Sequence, residues 1–207
     1  MTNPIINQDG VLPVMEMFYS IQGEGTYQGK AAFFVRLAGC DVGCHWCDVK
    51  ESWDAKLYPS VTVKAIIEEI LKTPAEIVIV TGGEPLMYDL AELTKEIKNV
   101  GLATHIETSG VYPLTGNWDW ITFSPKKFKE PVDKFGSFAD ELKVIIFNKS
   151  DFQFAEEHGE KVNYLCHLYL QPEWGKEKEM LPLIVDYVKK YPQWKVSLQI
   201  HKYMDIP

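Results

Sequence analysis

The sequence has no excess of positive charge, because 29 Asp and Glu residues outnumber 21 Lys and Arg residues and give a formal net charge of −8. Proteins that bind nucleic acid or anionic membranes need a basic surface, so this charge argues against both partners. The chain also has no apolar run of the length that spans a bilayer, and residues 1–5 lack the basic start and apolar core of a signal peptide. We therefore expect a cytoplasmic protein in a reducing compartment.

Cysteine is scarce, with four residues in 207, whereas secreted disulfide scaffolds are shorter and richer in cysteine. Three of the four lie close together, at Cys40, Cys44 and Cys47. Thiolates are soft ligands that suit iron–sulfur clusters and zinc. Three thiolates on one loop can hold three corners of a four-iron cluster, and the remaining iron then stays open to bind a small molecule and pass it an electron. The spacing therefore favours redox chemistry on a bound cofactor.

Two other interpretations of the cysteines stay open at this point. A closed structural zinc site would use the same three thiolates, with His45 or Cys166 as the fourth ligand. A disulfide network or inert thiols would need no metal at all. Cys166 lies in a strand-like run, and we expect it to be a buried strand residue.

Short apolar runs alternate with amphipathic segments along the chain. The length, with 46% hydrophobic and 13% aromatic residues, predicts one globular domain over residues 1–207. Helices are predicted after Ser60 as the N-cap, over residues 89–100 and near residues 177–191, and a loop is predicted over residues 126–136. The predicted strands are 14–19, 31–38, 76–81, 102–108, 120–123, 141–147, 164–170 and 196–200.

Strands that alternate with helices indicate parallel βαβ units. A complete eightfold barrel usually needs about 250 residues, and only two or three helices are clear in this shorter chain. The sequence therefore predicts an α/β fold in the form of an incomplete, open TIM-like barrel. In such folds ligands bind at the carboxyl ends of the strands.

A second motif, Gly-Gly-Glu-Pro at residues 82–85, directly follows a predicted buried strand. Its glycines let a ligand approach the backbone without a Cβ in the way, and Glu84 places a carboxylate where it could hold an ammonium group. An ordinary strand-to-helix turn would explain the same residues. Taken together with the cysteine loop, however, the motif closely resembles the radical S-adenosylmethionine (SAM) superfamily.

This resemblance implies a partial barrel of the radical SAM type and a specific chemistry. In the superfamily, the open iron binds the amino and carboxylate groups of the methionine portion of SAM. An electron from the cluster then cleaves a carbon–sulfur bond and gives a 5′-deoxyadenosyl radical. The Gly-Gly-Glu-Pro turn contacts the methionine amino group.

Two further segments, residues 16–25 and 34–40, narrow the resemblance. The first places an amide and a carboxylate on a glycine-rich backbone after a strand, where they could read the polar edge of a fused nitrogen heterocycle; a hairpin turn with polar tips is the alternative. With the second, the chain resembles the 7-carboxy-7-deazaguanine synthase family over nearly its whole length. That family converts 6-carboxy-5,6,7,8-tetrahydropterin to 7-carboxy-7-deazaguanine with loss of ammonia, on the route to queuosine, and its members are homodimers.

The family resemblance implies roles for individual residues. The ligands of the [4Fe-4S] cluster would be Cys40, Cys44 and Cys47. The substrate would be bound by Ile21, Gln22, Gly23, Arg36, Thr81 and Pro207. SAM would be bound by Gly83, Glu84, Ser109, Ser124, Pro125, Lys126 and Gln171. The Arg36 guanidinium can grip a substrate carboxylate through two parallel bonds, although it could instead pair with a structural carboxylate, and Ser109 could simply cap a turn.

The sequence departs from the family pattern at one position. The family commonly has a threonine two places after the last cluster cysteine, and its hydroxyl binds a magnesium ion that also meets the substrate. Here that position is Val49, which has no side-chain oxygen to offer a hard cation. Asp48, Ser52 or water could substitute, or the enzyme could work with little metal dependence. Magnesium is therefore an uncertain cofactor for this chain.

The resemblance also implies an external electron donor, for example a flavodoxin-like protein. A radical activating enzyme, which takes hydrogen from a glycine of a partner protein, would share the cysteine motif. That alternative would leave the polar segment at residues 22–25 unexplained. A zinc-stabilised module without catalytic activity is the remaining alternative.

Overall fold

The computed structural model describes residues 10–207, so the interpretation of residues 1–5 lies outside it. The strands are β1 (Val11–Ile21), β2 (Ala31–Leu37), β3 (Ser60–Thr62), β4 (Ile77–Gly82), β5 (Ala103–Thr108), β6 (Trp120–Phe123), β7 (Glu141–Ile146), β8 (His167–Pro172) and β9 (Trp194–Val196). The α-helices are α1 (Val63–Ile70), α2 (Ala91–Asn99), α3 (Asp151–Gly159), α4 (Glu177–Lys190) and α5 (Ile200–Met204). In this part of the chain, no helix combines the length and the hydrophobicity that a membrane crossing requires.

The strands join one sheet in the spatial order β3-β1-β2-β4-β5-β6-β7-β8-β9. From β2 to β9 neighbouring strands run parallel, whereas β1 is antiparallel to both β2 and β3. Within residues 10–207 the edge strands β3 and β9 do not pair with each other, so the barrel is open. The prediction of an incomplete TIM-like barrel is confirmed.

Side chains alternate between the two faces of each strand, and the two faces differ in chemistry. On β7, Leu142 and Val144 are buried in the apolar core, which also holds Ile66 of α1 and Ile184 of α4. Lys143, between them in sequence, lies on the opposite face and lines a cavity. The helices therefore cover an apolar outer face, while the inner face keeps polar residues available for a site.

Capping chemistry sets the start of α1. The Thr62 hydroxyl accepts a hydrogen bond from the Ala65 amide at 3.2 Å, so Thr62 is the N-cap. The prediction of Ser60 as the N-cap is wrong, because Ser60 pairs with Pro13 in the ladder between β3 and β1. Helices α2 and α4 lie inside the ranges that the sequence predicted for them.

Besides β3, which was not predicted, two regions of the chain differ from the sequence prediction. Helix α3 was not predicted, because it buries only Asp151, Ala155 and His158 and shows no apolar stripe. The strand predicted over residues 196–200 is wrong beyond Val196, because the chain leaves the sheet there and Ile200 begins α5. This turn brings the C-terminal segment back toward the inner face of the sheet.

Candidate active site

A cavity of about 270 Å³ lies at the carboxyl ends of the parallel strands, where the sequence predicted the ligand site. The predicted site residues that line it are Ile21, Gln22, Gly23, Arg36, Cys40, Cys44, Cys47, Thr81, Gly83, Glu84, Ser109, Ser124, Lys126, Gln171 and Pro207. Pro125 is the exception, because it is buried without lining the cavity. The fold thus brings residues from both motifs and from both ends of the described chain to one place.

The cysteine loop follows β2 and contributes three thiols to the cavity wall. The Cys47 amide donates to the Cys44 carbonyl at 3.0 Å, and Cys40, Cys44 and Cys47 are all free thiols. Burial raises the pKa of the Cys40 thiol to about 11 and also raises the pKa of Cys44. Because thiolates are the ligands of iron, assembly of a cluster here releases protons. Three free thiols lining one cavity fit a cluster that keeps one iron open.

His45 and Cys166 are the two candidate fourth ligands of a zinc site, and the structure shows what surrounds each of them. The His45 ring packs edge-on against the rings of Phe128 and Phe147, with centroids 5.2 Å apart in both pairs. Cys166 lies just before β8 rather than inside a strand, and it is only half-buried, so the expectation of a buried strand residue is wrong. Gln171, which lines the cavity, is roughly 17 Å further along that strand. Cys166 therefore lies at the amino end of the sheet, away from the cysteine loop.

The Gly-Gly-Glu-Pro turn packs directly against the start of the cysteine loop. The amides of Gly83 and Glu84 donate to the carbonyls of Leu37 and Gly39, both at 2.8 Å. A Cβ on Gly83 would overlap the Gly39 carbonyl oxygen and would lie 3.1 Å from the Cβ of Cys40. The sequence suggested a ligand as the neighbour that needs this space, but the backbone of the cysteine loop occupies it. The two motifs therefore form one structural unit.

The Glu84 carboxylate is held by four hydrogen bonds. It is buried and accepts from the amides of Leu86 at 3.1 Å and Ser109 at 2.9 Å. It also accepts from the Thr108 hydroxyl at 2.5 Å and from the Ser109 hydroxyl. These bonds tie the second motif to the end of β5 and fix the carboxylate at the cavity wall. The Ser109 hydroxyl, predicted to meet the cofactor, is directed to Glu84 in this structure.

Three further predicted residues lie at the ends of β6 and β8. The Lys126 ammonium donates to the carbonyl and hydroxyl oxygens of Ser124, both at 2.6 Å, and burial lowers the pKa of Lys126. The Gln171 side-chain oxygen accepts from the Ser197 hydroxyl at 2.7 Å. These bonds hold polar groups at the cavity wall, where a polar cofactor could meet them.

Arg36 is the only arginine in the sequence, and it lines the cavity. Its Nε donates to Glu16 Oε1 at 2.6 Å, and its guanidinium carbon lies 5.8 Å from the centroid of the Phe18 ring. The Arg36 side chain is 21% exposed and the Glu16 side chain 45%, so the pair is in contact with solvent. Such pairs contribute little stability. An incoming carboxylate can therefore compete with Glu16 for the guanidinium at small cost.

A charged network connects the segment after β1 with the inner faces of β5 and β7. Lys143 is buried and pairs with Glu24 and, at 3.5 Å, with Glu107. Gln22 Nε2 donates to Glu107 at 2.8 Å, and Gln199 Nε2 donates to Glu24 at 2.9 Å. Burial, the largest single effect, raises the pKa of Glu24, but the charge of Lys143 together with the hydrogen bonds from Lys143 and Gln199 outweighs burial and lowers the pKa to about 2. The network therefore keeps fixed charges and an oriented amide in the cavity.

Glu107 and Lys143 were not predicted as site residues, and the carboxylate of the 16–25 segment was predicted to face a heterocycle rather than to pair with a lysine. A signal was present in the strands that the sequence did predict. Polar residues at every second position of an otherwise apolar strand, such as Glu141 and Lys143, mark an inner face that carries polar groups. Their partners could not be found in this way, because the pairs join segments that are far apart in sequence.

The C-terminal segment lies along one side of the cavity. The Ile200 amide donates to the Gly23 carbonyl at 3.0 Å, and a Cβ on Gly23 would overlap the His201 ring. This close approach explains why glycine stands at that position. The Pro207 carbonyl accepts a hydrogen bond from the Ser20 hydroxyl at 3.2 Å. Contacts of Gly23 with Ile200 and of Ser20 with Pro207 therefore hold the C-terminal segment against the end of β1 and the residues that follow it, beside the cavity.

The residues around Val49 do not fit a magnesium ion. Ser52 is buried, and its hydroxyl donates to the Val49 carbonyl at 2.7 Å. The Asp48 carboxylate accepts from the Lys202 ammonium at 2.9 Å. Magnesium requires oxygen ligands in near-octahedral geometry, and of the side-chain oxygens that could replace the family threonine, the Ser52 hydroxyl and Asp48 Oδ2 are already engaged. We therefore assign no step to magnesium.

Comparison with known proteins gives the family. The model of the radical SAM superfamily matches residues 34–140, which include the three cysteines and the Gly-Gly-Glu-Pro turn. The 7-carboxy-7-deazaguanine synthase of Flavobacterium psychrophilum is 56% identical over 202 residues, which cover 98% of this chain and 96% of that protein. The 7-carboxy-7-deazaguanine synthase of Synechocystis sp. is 48% identical over 194 residues, which cover 94% of this chain and 93% of that protein.

A solved structure supports the same assignment. The crystal structure of QueE from Escherichia coli matches with a TM-score of 0.83 at 27% sequence identity, over 91% of this chain and 94% of that chain. Membership of the radical SAM superfamily implies a [4Fe-4S] cluster and SAM as cofactors, which the free thiols and the polar cavity wall fit. The chain belongs to the 7-carboxy-7-deazaguanine synthase family of radical SAM lyases.

Proposed function

We propose that this protein converts 6-carboxy-5,6,7,8-tetrahydropterin to 7-carboxy-7-deazaguanine with loss of ammonia, for queuosine or deazapurine biosynthesis. When bound, the cluster and SAM supply electron transfer and carbon–sulfur cleavage, and hence a radical that takes a hydrogen atom from the pterin. The observation that carries the proposal is that the cysteine loop, the Gly-Gly-Glu-Pro turn and the proposed substrate residues line one cavity.

The cofactor side of the cavity is the unit formed by the two motifs. Cys40, Cys44 and Cys47 would ligate the cluster, and Glu84 would receive the ammonium group of the methionine portion. Because four hydrogen bonds already hold the Glu84 carboxylate, it does not need to reorganise when a cation arrives. Ser109, Ser124, Pro125, Lys126, Gln171 and the Gly83 backbone would complete the SAM site.

The substrate side is built on Arg36 and on the charged network. Arg36 would bind the pterin carboxylate in place of Glu16. The Gln22 amide is oriented from both ends, since its nitrogen donates to Glu107 at 2.8 Å and its oxygen accepts from the Glu24 amide at 3.1 Å. An amide held in this way can read the donor and acceptor edge of a heterocycle. Ile21, Gly23, Thr81 and Pro207 would complete the substrate site.

Anaerobic reconstitution tests this proposal. With reductant, SAM and the carboxypterin, we expect formation of ammonia and 7-carboxy-7-deazaguanine in equal amounts, without stoichiometric consumption of SAM, because loss of ammonia accounts for every atom of the carboxypterin and the abstracted hydrogen has to return. Substitution of Cys40 by Ala should abolish both products, whereas Cys166→Ala is the matched control and should leave turnover intact. Absence of the deazaguanine product from the wild-type reaction, or zinc in place of iron in the purified protein, would refute the proposed function.

We also propose that the protein is a single domain over residues 1–207, acts as a homodimer in the cytoplasm and receives its electron from a flavodoxin-like protein. One sheet takes strands from Val11 to Val196, which supports the single domain. Free thiols that line the cavity suit a reducing compartment. Light scattering of the anaerobic holoenzyme measures the oligomeric state, and a monomer would contradict the dimer. Failure of a reduced flavodoxin to support turnover would contradict the proposed donor.

A further inference from the structure

We infer that the Lys202 ammonium, held by Asp48, provides the positive charge at the cavity edge for which the family pattern implies magnesium, so that the reaction of this chain needs no divalent metal. The inference rests on the proposed function, because the reaction of that function is the one whose metal dependence is at issue. It concerns the residues of this chain around Val49.

Lys202 reaches from α5 back to the segment that follows the cysteine loop. Its Nζ lies 2.9 Å from Asp48 Oδ2 and 5.0 Å from the centroid of the Trp174 ring. Asp48 and Trp174 both line the cavity. The Lys202 side chain is only 21% exposed although it lies close to the C-terminus. Two contacts with cavity-lining residues therefore hold the Lys202 ammonium next to the cavity wall, although Lys202 is not itself one of the residues that line the cavity.

The same contacts leave little for a divalent cation to bind. Val49 offers no side-chain oxygen, and the Ser52 hydroxyl is buried and committed to the Val49 carbonyl. A magnesium ion at Asp48 would have to displace the ammonium or lie beside it, where two positive charges repel each other. The side-chain donors around Val49 therefore favour an ammonium over a hard metal ion.

The Lys202 ammonium has hydrogen-bond donors left over for a bound ligand. A lysine ammonium has three N–H donors, and Asp48 is the hydrogen-bond acceptor that the described residues provide for it. The remaining donors can meet carboxylate or carbonyl oxygens of a ligand, as a compact point charge does. Asp48, with a side chain that is 57% exposed, holds the lysine without being withdrawn from water.

Metal dependence is the first test. The anaerobically reconstituted wild-type enzyme is assayed with SAM, reductant and the carboxypterin, once with excess EDTA and once with excess MgCl2. We expect kcat/KM values within about twofold of each other. The visible absorbance of the cluster shows that EDTA has not removed iron. Activity that is lost in EDTA and restored by magnesium, with the cluster intact, would overturn the inference.

Variants of Lys202 are the second test. Lys202→Met should lower kcat/KM by about tenfold or more in EDTA, with Lys202→Arg partly restoring it. Lys189→Met is the matched control, because Lys189 is an exposed lysine of α4 that pairs only loosely with Asp186, at 3.6 Å. In the Val49→Thr/Lys202→Met double variant, which has a threonine oxygen and no competing ammonium, we expect magnesium to raise activity. A Lys202→Met enzyme with full activity in EDTA would overturn the inference.

Metal binding can be measured without turnover. Manganese(II) is added to the wild-type holoenzyme with SAM and the carboxypterin but without reductant, and its paramagnetic resonance signal reports the free ion. A signal unchanged by protein supports the inference, and stoichiometric loss of signal contradicts it. If no deazaguanine forms under any condition, the proposed function fails; if it forms only with magnesium, that function stands and this inference alone fails.

Discussion

Gly83 shows how a single residue sets the geometry of the site. Its amide bonds to Leu37, and its missing side chain lets the turn lie against the Gly39 carbonyl and Cys40. The cofactor motif is thereby aligned with the cluster motif before any ligand binds. The sequence predicted that both motifs share a site, but it could not predict that their backbones touch, because that contact depends on how β2 and β4 pair.

Substitution of Gly83 by Ala should separate the two motifs. The new Cβ would overlap backbone, which cannot move aside as a flexible side chain can, so we expect destabilisation of about 1–3 kcal/mol and reduced iron incorporation. Iron content and thermal unfolding of the reconstituted protein measure both effects. Gly175→Ala is the control, because its nearest neighbour is the flexible Glu173 side chain at 3.3 Å. Equal behaviour of the two variants would contradict a special role for Gly83.

The pair of Arg36 and Glu16 allows a test of the substrate carboxylate site. Arg36→Met should raise the KM for the carboxypterin by about tenfold or more, because a charged hydrogen-bond partner is lost. Glu16→Gln should not raise KM, because Glu16 only competes for the guanidinium. Steady-state kinetics distinguish the two variants. If both raise KM equally, the pair is structural and Arg36 does not bind the substrate.

At the scale of elements, some strands and helices can be predicted from the sequence and others cannot. The parallel strands β2 and β4 to β8 were predictable because each is an apolar run bounded by turn residues, whereas α3 was not, because its buried face has one apolar residue, Ala155. The strand predicted over residues 196–200 failed for a tertiary reason: β9 ends at Val196, and the Ser197 hydroxyl donates to the Gln171 side chain. The alternation of polar and apolar residues on β7 indicates a polar inner face, a signal that the prediction did not use, whereas no local pattern indicates the pairing of Lys143 with Glu24 and Glu107.

The network between β5, β7 and the segment after β1 makes Lys143 important for stability. Lys143→Met would leave the buried Glu24 and the neighbouring Glu107 without their cation, so we expect a loss of about 3–5 kcal/mol in the free energy of unfolding. Urea unfolding of the cluster-free protein measures this loss. The exposed Lys64→Met on α1 is the control and should change stability by no more than about 0.5 kcal/mol. If Lys143→Met unfolds at the same urea concentration as the wild type, the network is not needed for stability.

The same network gives stability a dependence on pH. The pKa of Glu24 in the folded protein is about 2, below its ordinary value of 4.5, so its carboxylate stabilises the fold above about pH 4.5 and loses this effect as pH falls toward 2. Unfolding of the cluster-free protein should therefore become easier through this window. Glu24→Gln should be less stable at neutral pH and should show a flatter acid dependence. If the stability of the wild type and of Glu24→Gln falls in parallel as the pH is lowered, Glu24 is not the group that causes the pH dependence.

At the scale of the whole molecule, the barrel stays open and the C-terminal segment lies along one side of its cavity. The fold class was predictable because strand and helix patterns alternate in a chain too short for eight units. The return of α5 to the cavity could not be predicted, because it depends on single contacts such as those of Ile200 with Gly23 and of Ser20 with Pro207. The C-terminal segment therefore determines how the cavity is bounded.

Deletion of Pro207 tests this boundary. Its bond to Ser20 is exposed, so we expect a stability change below about 1 kcal/mol. The KM for the carboxypterin should nevertheless rise, because Pro207 lines the cavity. Ser20→Ala is the matched control, since it removes the hydrogen bond and keeps the residue. An unchanged KM in the deletion variant would exclude Pro207 from the substrate site.

The arrangement of the two motifs around one cavity can be tested directly by Mössbauer spectroscopy of the ⁵⁷Fe-reconstituted wild-type protein, recorded with and without SAM. Because the proposed function gives the cluster three thiol ligands and puts the methionine portion of SAM beside the Gly-Gly-Glu-Pro turn, we expect a four-iron cluster in which a single iron changes its isomer shift when SAM is added. Spectra without a four-iron cluster, or with all irons unaffected by SAM, would contradict this arrangement.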